Sequence, residues 1–509
     1  MKVVIVGAGH NGLVAACYLA GAGHDVHVLE RRDVVGGAAV TEELIPGFKV
    51  STASYSLSLL RPDIYRDLEL ASYGLSFYPK DPQMFVPAPG GRHFFVWRDQ
   101  RRTIEEISRV SKKDAEAYVR WGAFWDEAVE VLRPLVETST PPTLREVERH
   151  LSDNGHEEVW RMAVAGSAAE IVESFFESDE VQGAFVGQGI IGTAAGPREP
   201  GTAWVMAYHY LGGELNGETG TWAYVHGGMG AVTSALAQAA ISKGAVIDKA
   251  SLVTRILVED GSVRGVEVSG GKVLDADVVL SNAGPHHTFE DLVGVDHLGE
   301  DITRRLSDWR TPGSVVKINL ALAEPPDFLA VPGTQIGPQH QGTLEVSFGI
   351  DHLEDAWSAA RAGTYSTDPF MEVFMQTATD PTLAPDGQHV ISAFTQYAPQ
   401  GWDDVRWDQE RNGVLAKALA ALDRLAPNVS GSVLGSQVLG PPDLERIFGL
   451  RGGNIFHGEI LPDQSFGERF RYETPIKGLF LCGSSASPGG GVMGAAGRNA
   501  ARTVLQQID

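Results

Sequence analysis

Cysteine is nearly missing from this chain, with two residues in 509, Cys17 and Cys482. They stand far apart and in no C-x-x-C spacing, which excludes a dithiol redox motif and a cysteine-based zinc site. Both are read as small core residues, and no metal site is expected. Basic charge is also short: 41 lysines and arginines face 65 acids, a net charge of −24. Nucleic acid and anionic lipid select basic surfaces, so neither is expected as a partner. Any peripheral membrane contact has to be apolar. Spanning-length hydrophobic runs are lacking too. The stretch MKVVIVGAGHNGLVAACYLAGAGHDVHVLE comes nearest, but His10 and Asn11 interrupt it and no small-residue cleavage site follows. With no presequence before the first strand, a cytoplasmic location is expected. What the chain does have is 43% hydrophobic content over a length that predicts two or more domains with large cores.

The first thirty residues carry the clearest chemistry. Val3 to Val6 reads as a buried β-branched strand, Gly7-Ala8-Gly9-His10-Asn11-Gly12 as a glycine turn, and Leu13 to Ala22 as a helix. Gly7 permits the turn, and Gly9 lets a pyrophosphate sit against backbone at the helix N-terminus. Gly12 allows the helix to pack closely on the strand. A second strand, Asp25 to Leu29, ends in Glu30, placed to accept hydrogen bonds from ribose hydroxyls. A G-x-G-x-x-G run alone is a weak signal. Two flanking strands, a helix and a terminal acid make it a strong one, although they do not separate NAD from FAD.

Further along, Arg61 to about Gly220 changes to charged amphipathic helices such as Asp114 to Val136 and Asp179 to Gln188, and reads as a separate lobe. Gly227-Gly228-Met229-Gly230 opens another helix, Ala231 to Ser242. Strand Ala245 to Ile247 follows, then a meander of Leu252 to Glu259, Ser262 to Ser269 and Lys272 to Leu274 with glycine turns between them. Asp277 to Ser281 reads as a buried strand ending in Asn282-Ala283-Gly284. The dinucleotide domain has been re-entered there. Residues 285–473 alternate helices with segments such as Ser314 to Leu322 and read as the sheet half of a second domain. The chain closes on LCGSSASPGGGVMGAAGRNAA, a run with few side chains to build a core, which implies a ligand or partner backbone against it.

These pieces together resemble the phytoene desaturase-like branch of FAD-dependent oxidoreductases. The resemblance is carried by VVIVGAGHNGLVAACYLA, LERRDVVGGAA, YVHGGMGAV, ADVVLSNAGP and GLFLCGSSASPGGGVMGAAGRNAA. The segments GSAAEIVESFFES, IIGTAAGPREPGTAWVMAYHYLGG and GGNIFHGEI are closer still to the subgroup named pyridine nucleotide-disulphide oxidoreductase domain-containing proteins. The resemblance implies an α/β fold: a Rossmann-like FAD-binding domain of glutathione reductase/amine oxidase type with a discontinuous α+β substrate domain. Residues 1–60, 221–290 and 474–509 would form the first, residues 61–220 and 291–473 the second. The cofactor implied is FAD, held by Gly7, Gly9, His10, Asn11, Gly12, Glu30 and Arg31. Gly36, Gly37 and Ala38 would approach the diphosphate, and Val253 the adenine. Ala283, Gly284, Gly483, Ser484, Gly491, Val492 and Met493 complete the set, the last three bringing backbone under the flavin ring. Two departures stand out. Many relatives carry Gly-Asp where this chain has Gly483-Ser484, and amine oxidases often have arginine where Ala38 stands.

Flavin chemistry leaves the difficult step to the cofactor, so no protein nucleophile is required. His209, Tyr210 and His457 are the candidate catalytic residues, histidine being able to act as acid or base near neutral pH. Lys317, inside an alternating strand, could direct its charge to a cavity or to solvent, with a packing role as the plainer reading. The resemblance implies hydride transfer from a C–H bond to flavin N5 in desaturation or isomerisation of a hydrophobic, isoprenoid-like substrate. An acceptor such as oxygen or quinone would take the electrons. Two alternatives stay open: an FAD-dependent amine or amino-acid oxidase, and a flavoprotein with a binding or regulatory role. Nothing in the sequence fixes the oligomeric state.

Overall fold

The computed structural model describes residues 1–212, 214–215, 218–219 and 222–508. Gly213, the expected domain boundary at residues 220 and 221, and Asp509 lie outside the described residues. At the centre of one half is a five-stranded parallel sheet in the order Val246–Asp248, Asp25–Leu29, Lys2–Val6, Val278–Ser281, Leu479–Leu481. In this sheet Ile5 lies opposite Val28 on one side and Leu280 on the other. Helices and an antiparallel meander pack against this sheet, so the central strands are apolar throughout rather than alternating. The chain leaves this sheet and returns to it twice, because its third and fourth strands follow one excursion and its fifth another.

Small residues set how closely those helices approach. Helix His10–Gly21 buries Ala15, Ala16, Cys17 and Ala20 and packs against helices Gly230–Ser242 and Ala495–Ile508. A Cβ on Gly497 would fall 2.0 Å from the Asn11 carbonyl oxygen, so only glycine permits that crossing. Cys17 and Cys482 are both buried and free. Burial pushes the Cys17 thiol up to about 12 and raises Cys482 as well, which makes both inert packing groups. The meander is present as an antiparallel sheet of Val253–Glu259, Ser262–Val268 and Val273–Asp275.

The other half is built on a seven-stranded sheet ordered Val433–Leu439, Val315–Leu322, His389–Gln396, Phe370–Phe374, Thr343–Val346, Met84–Pro87, His93–Val96. Every neighbouring pair is antiparallel except Thr343–Val346 with Met84–Pro87. The last two strands come from the stretch expected to be a helical lobe. They are short, apolar and bracketed by proline and glycine, so periodicity gave no helix or strand signal for them, and the sheet edge recruited them. The helices expected nearby are Lys112–Glu137 and Asp179–Val186, which with Ala168–Phe175 and Thr202–Gly212 enclose an aromatic core around Trp121, Trp125 and Phe176. Among the described residues no helix is long and apolar enough to cross a membrane.

The Gly497 crossing generates a direct test. Gly497→Val should destabilise the protein by about 1–3 kcal/mol, the usual cost of overpacking. Thermal denaturation should show a lower midpoint and earlier release of any bound flavin.

Candidate functional site

A trench runs over the C-terminal ends of the parallel strands. The first strand ends in Gly7, whose φ of +96° only glycine adopts readily, and helix His10–Gly21 starts immediately after it. A Cβ on Gly9 would sit 2.7 Å from Asn282 Nδ2, and one on Gly12 2.3 Å from the Gly7 carbonyl oxygen. Backbone therefore forms the surface at the helix N-terminus, where partial positive charge favours an anion. Gly36 donates its N–H to the Ala8 carbonyl at 2.9 Å and has φ +124°, laying the second glycine turn beside the first. Glu30 is buried, its Oε2 accepting from Ala8 N–H at 2.8 Å and its Oε1 from Arg32 N–H at 2.9 Å. Each carboxylate oxygen keeps a lone pair for another donor.

With its solvent-open space counted, the trench spans about 920 Å³, and the wall includes Gly7, Gly9, His10, Glu30, Arg31, Gly36, Gly37, Ala38, Val253, Ala283 and Ser484. Sequence reasoning missed Phe448 and His287 at the Val253 end. Phe448 ends helix Pro441–Phe448, and Arg31 reaches the last carbonyls of that helix, donating to Ile447 at 2.7 Å. Asn11, Gly12, Gly284, Gly483 and Met493 stand behind the wall rather than on it. The Asn11 amide donates to Ser484 Oγ at 3.2 Å, and a Cβ on Gly483 would meet the Asn282 carbonyl oxygen at 2.7 Å. Their contribution is to hold the wall in position.

Past Ser484 the trench opens into an inner chamber of about 1000 Å³, which shares His10, Ala38, Leu450, His457 and Ser484 with it. The closing loop supplies Gly491 and Val492 to the chamber. A Cβ on Gly491 would lie 2.2 Å from Leu59, and its φ is +98°. Buried Arg469 secures this loop, donating at 2.8 Å to the Ser484 and Phe456 carbonyls and at longer range to Glu459 and Gln464. Burial lowers this guanidinium to about 10.

The candidate catalytic residues separate in space. His457 lines the junction of trench and chamber, and burial lowers its imidazole to about 4. His209 lines the chamber and also a third, outer cavity of about 1370 Å³. Its Nδ1–H donates to the Gln188 carbonyl at 3.1 Å, leaving Nε2 as an acceptor, and burial lowers it to about 4. Tyr210 faces only the outer cavity. Its ring stacks on Trp125 with centroids 4.4 Å apart, and its hydroxyl accepts from Trp121 Nε1 at 3.1 Å. It does not line the chamber because the next helical residue points about 100° away from its neighbour. Lys317 departs from its plainer reading: it is 2% exposed, lines the chamber and hydrogen-bonds Asn319. Burial holds its ammonium well below the usual lysine range.

A ligand with a diphosphate, a ribose and an extended planar end fits these walls. The bare backbone suits the diphosphate, and the spare lone pairs of Glu30 suit ribose hydroxyls. His10 Nε2 is buried with no hydrogen-bond partner among the described residues. The model of the family described as flavin containing amine oxidoreductase matches residues 12–505. The chain belongs to the flavin-containing amine oxidoreductase family. This flavoenzyme is accordingly an FAD-dependent oxidoreductase. It is 39% identical to pyridine nucleotide-disulfide oxidoreductase domain-containing protein 2 of Rattus norvegicus, across 99% of this chain and 93% of the relative. It is 29% identical to a limonene dehydrogenase polypeptide of Castellaniella defragrans, across 99% and 94%. A solved structure of putrescine oxidase bound to putrescine superposes with a TM-score of 0.63 at 18% identity, covering 100% of this chain and 99% of that one. The last likeness shows the shared fold. The two departures in the flavoenzyme, Ser484 and Ala38, both line the trench and the chamber.

Two outcomes follow from this geometry. Glu30→Ala removes an acceptor from the trench and strands the Ala8 N–H, so FAD should bind roughly 10- to 100-fold more weakly, about 1.5–3 kcal/mol. Fluorescence of flavin released on dilution measures it. His209 should stay neutral as pH falls from 8 to 5 and protonate only near pH 4, because its folded value is depressed. Imidazole 15N shifts in histidine-labelled protein report the titration.

Proposed function

We propose that this flavoenzyme oxidises a C–H bond of an apolar, isoprenoid-like substrate in a desaturation or isomerisation, with the flavin ring at the junction of trench and chamber. The observation that carries the reading is the chamber wall: Leu59, Ile191, Val315, Phe394, Ile455 and Phe456 enclose the space next to Gly491 and Val492. An apolar lining of this kind binds by desolvation and discriminates by shape. The relatives named for limonene dehydrogenase and for phytoene desaturase, the latter 24% identical and from Paracoccus, support a terpenoid substrate class.

FAD supplies the hydride acceptor, flavin N5. Glu30, the glycine turns and Ser484 would hold the cofactor, while the closing loop excludes water from one side of the chamber. Helix Ala495–Ile508 begins directly after that loop, and its N-terminal partial charge would favour negative charge on the reduced ring by about 0.3–1 kcal/mol. His209 and His457 enter the reaction as neutral imidazoles that accept hydrogen bonds but resist taking up a proton. The domain division given above, a cytoplasmic location and an oxygen or quinone acceptor belong to the same reading. The two sheets and the two buried free thiols support the first two of these.

A second reading, oxidation of an amine, draws on the Tyr55 ring, 4.4 Å from Phe374 and 5.6 Å from Phe394, with the Glu372 carboxylate beyond it. Anaerobic mixing of the yellow enzyme with panels of isoprenoids and of amines separates the two. Bleaching by isoprenoids is expected, and bleaching by amines alone would overturn the first reading. Ile191→Trp, which fills the chamber, should abolish bleaching while the bound-flavin spectrum persists.

A further inference from the structure

The register of the seven-stranded sheet lays a polar row across its chamber-facing side. Lys317 lies opposite Phe394, Phe394 opposite Glu372, and Glu372 opposite Glu345. Directly paired residues share a sheet face, so two glutamates confront each other there. Both are buried, at 0% exposure for Glu345 and 2% for Glu372. Glu372 is hydrogen-bonded on both oxygens, accepting from Gln188 Nε2 at 2.7 Å and from the Tyr55 hydroxyl at 3.3 Å. Neither Glu345 oxygen has a hydrogen-bond partner among the described residues.

Two spaces meet at this pair. Tyr55 lines the inner chamber, whereas Glu372 lines the outer cavity together with Lys80, Gln188 and Thr343. Lys80 is 3% exposed and hydrogen-bonded to Thr343, with its ammonium 4.9 Å from the Phe374 ring centroid, 5.2 Å from Trp222 and 5.7 Å from Tyr224. The titratable groups around Glu372 are thus Glu345, Lys80, Tyr55 and Tyr224, with His209 at the edge of the same cavity and the Lys317 ammonium 5.7 Å from the Tyr55 ring centroid. Burial drives Lys317 toward its neutral form, so two carboxylates face the one ammonium of Lys80, and a shared proton removes the unbalanced charge. Burial and the neighbouring carboxylate push Glu345 well above the usual range, and burial raises Glu372 too.

We propose that Tyr55 and Glu372 form the proton exit of the chamber, with Glu345 and Lys80 setting the charge of Glu372 and the outer cavity as the outlet. The inference rests on the C–H oxidation proposed above. Converting a saturated C–C bond to an alkene removes two hydrogens. One leaves with its bonding pair as hydride, for which the bound FAD is the oxidant. The other leaves as a proton, and its bonding electrons become the new π bond. Tyr55 oxygen takes that proton as its own passes to Glu372, and the outer cavity then carries it to water. Tyr55 is the catalytic residue here, while Glu345 and Lys80 are positioning residues.

Infrared spectroscopy of the FAD-loaded enzyme tests this, first at rest and then during anaerobic reduction by a substrate. At pH 7 the wild-type spectrum should contain a protonated buried carboxyl that is lost in both Glu345→Gln and Glu372→Gln, since the remaining glutamate then ionises against Lys80. Anaerobic reduction of the flavin by an isoprenoid should increase protonated-carboxyl intensity in the wild type, as the substrate proton reaches Glu372. Tyr55→Phe should keep the resting signal but lose or slow that increase at least tenfold. An unchanged resting signal in both glutamine variants would overturn the shared proton. A normal reduction-linked increase in Tyr55→Phe would overturn the path. If amines alone bleach the flavin, the substrate reading fails and the proton exit is read with the amine, whose oxidation to an imine also releases a hydride and a proton.

Discussion

The site depends on backbone lying against backbone where no side chain fits. Gly12 meets the Gly7 carbonyl, Gly483 that of Asn282 and Gly497 that of Asn11, while Gly9 and Gly491 lie against the side chains of Asn282 and Leu59. Most of these contacts join segments from distant parts of the chain. The first glycine turn, the strand ending in Asn282 and the closing loop are thereby fixed against one another before any ligand is considered. A methyl group at these places would separate the very surfaces that form the trench.

Arg469 complements that packing by an unusual electrostatic arrangement. It is buried among the carbonyls of Phe456, Glu459, Gln464 and Ser484, so its charge is offset by dipoles. A charge held this way needs every partner in place, since leaving a buried ion incompletely solvated costs several kcal/mol. The arrangement links the loop bearing His457 to the loop bearing Ser484 and so defines the junction of trench and chamber. The aromatic helical core and the seven-stranded sheet then determine what lies beyond it: an apolar wall on one side and a row of buried charges on the other.

The parts of the site nearest the cofactor were legible in the sequence because they are local. The turn from Gly7 to Gly12, Glu30 at a strand end and the Gly36-Gly37 pair each announce themselves within a few residues. The substrate side was not legible. Glu345 and Glu372 sit singly inside apolar stretches, TLEV and FMEVF, and a lone charge in a buried strand was the only available signal. Lys317 offered the same signal, which left cavity and solvent both open, and the strand buries it against the chamber. Tyr210, adjacent to His209, shows the converse: neighbours in a helix face different spaces.

Residue type and short-range order were enough for the strand–turn–helix grammar, the FAD family and the acidic, cysteine-poor character of the chain, because each of these is written within a few neighbouring positions or in composition. Which charged residues meet was settled by the packed fold. Strand register brings Glu345 opposite Glu372 and places Lys317 in the same row, and register is set by pairing between strands far apart in sequence. Local patterning specifies that a strand exists. The packed sheet alone specifies what each of its residues confronts.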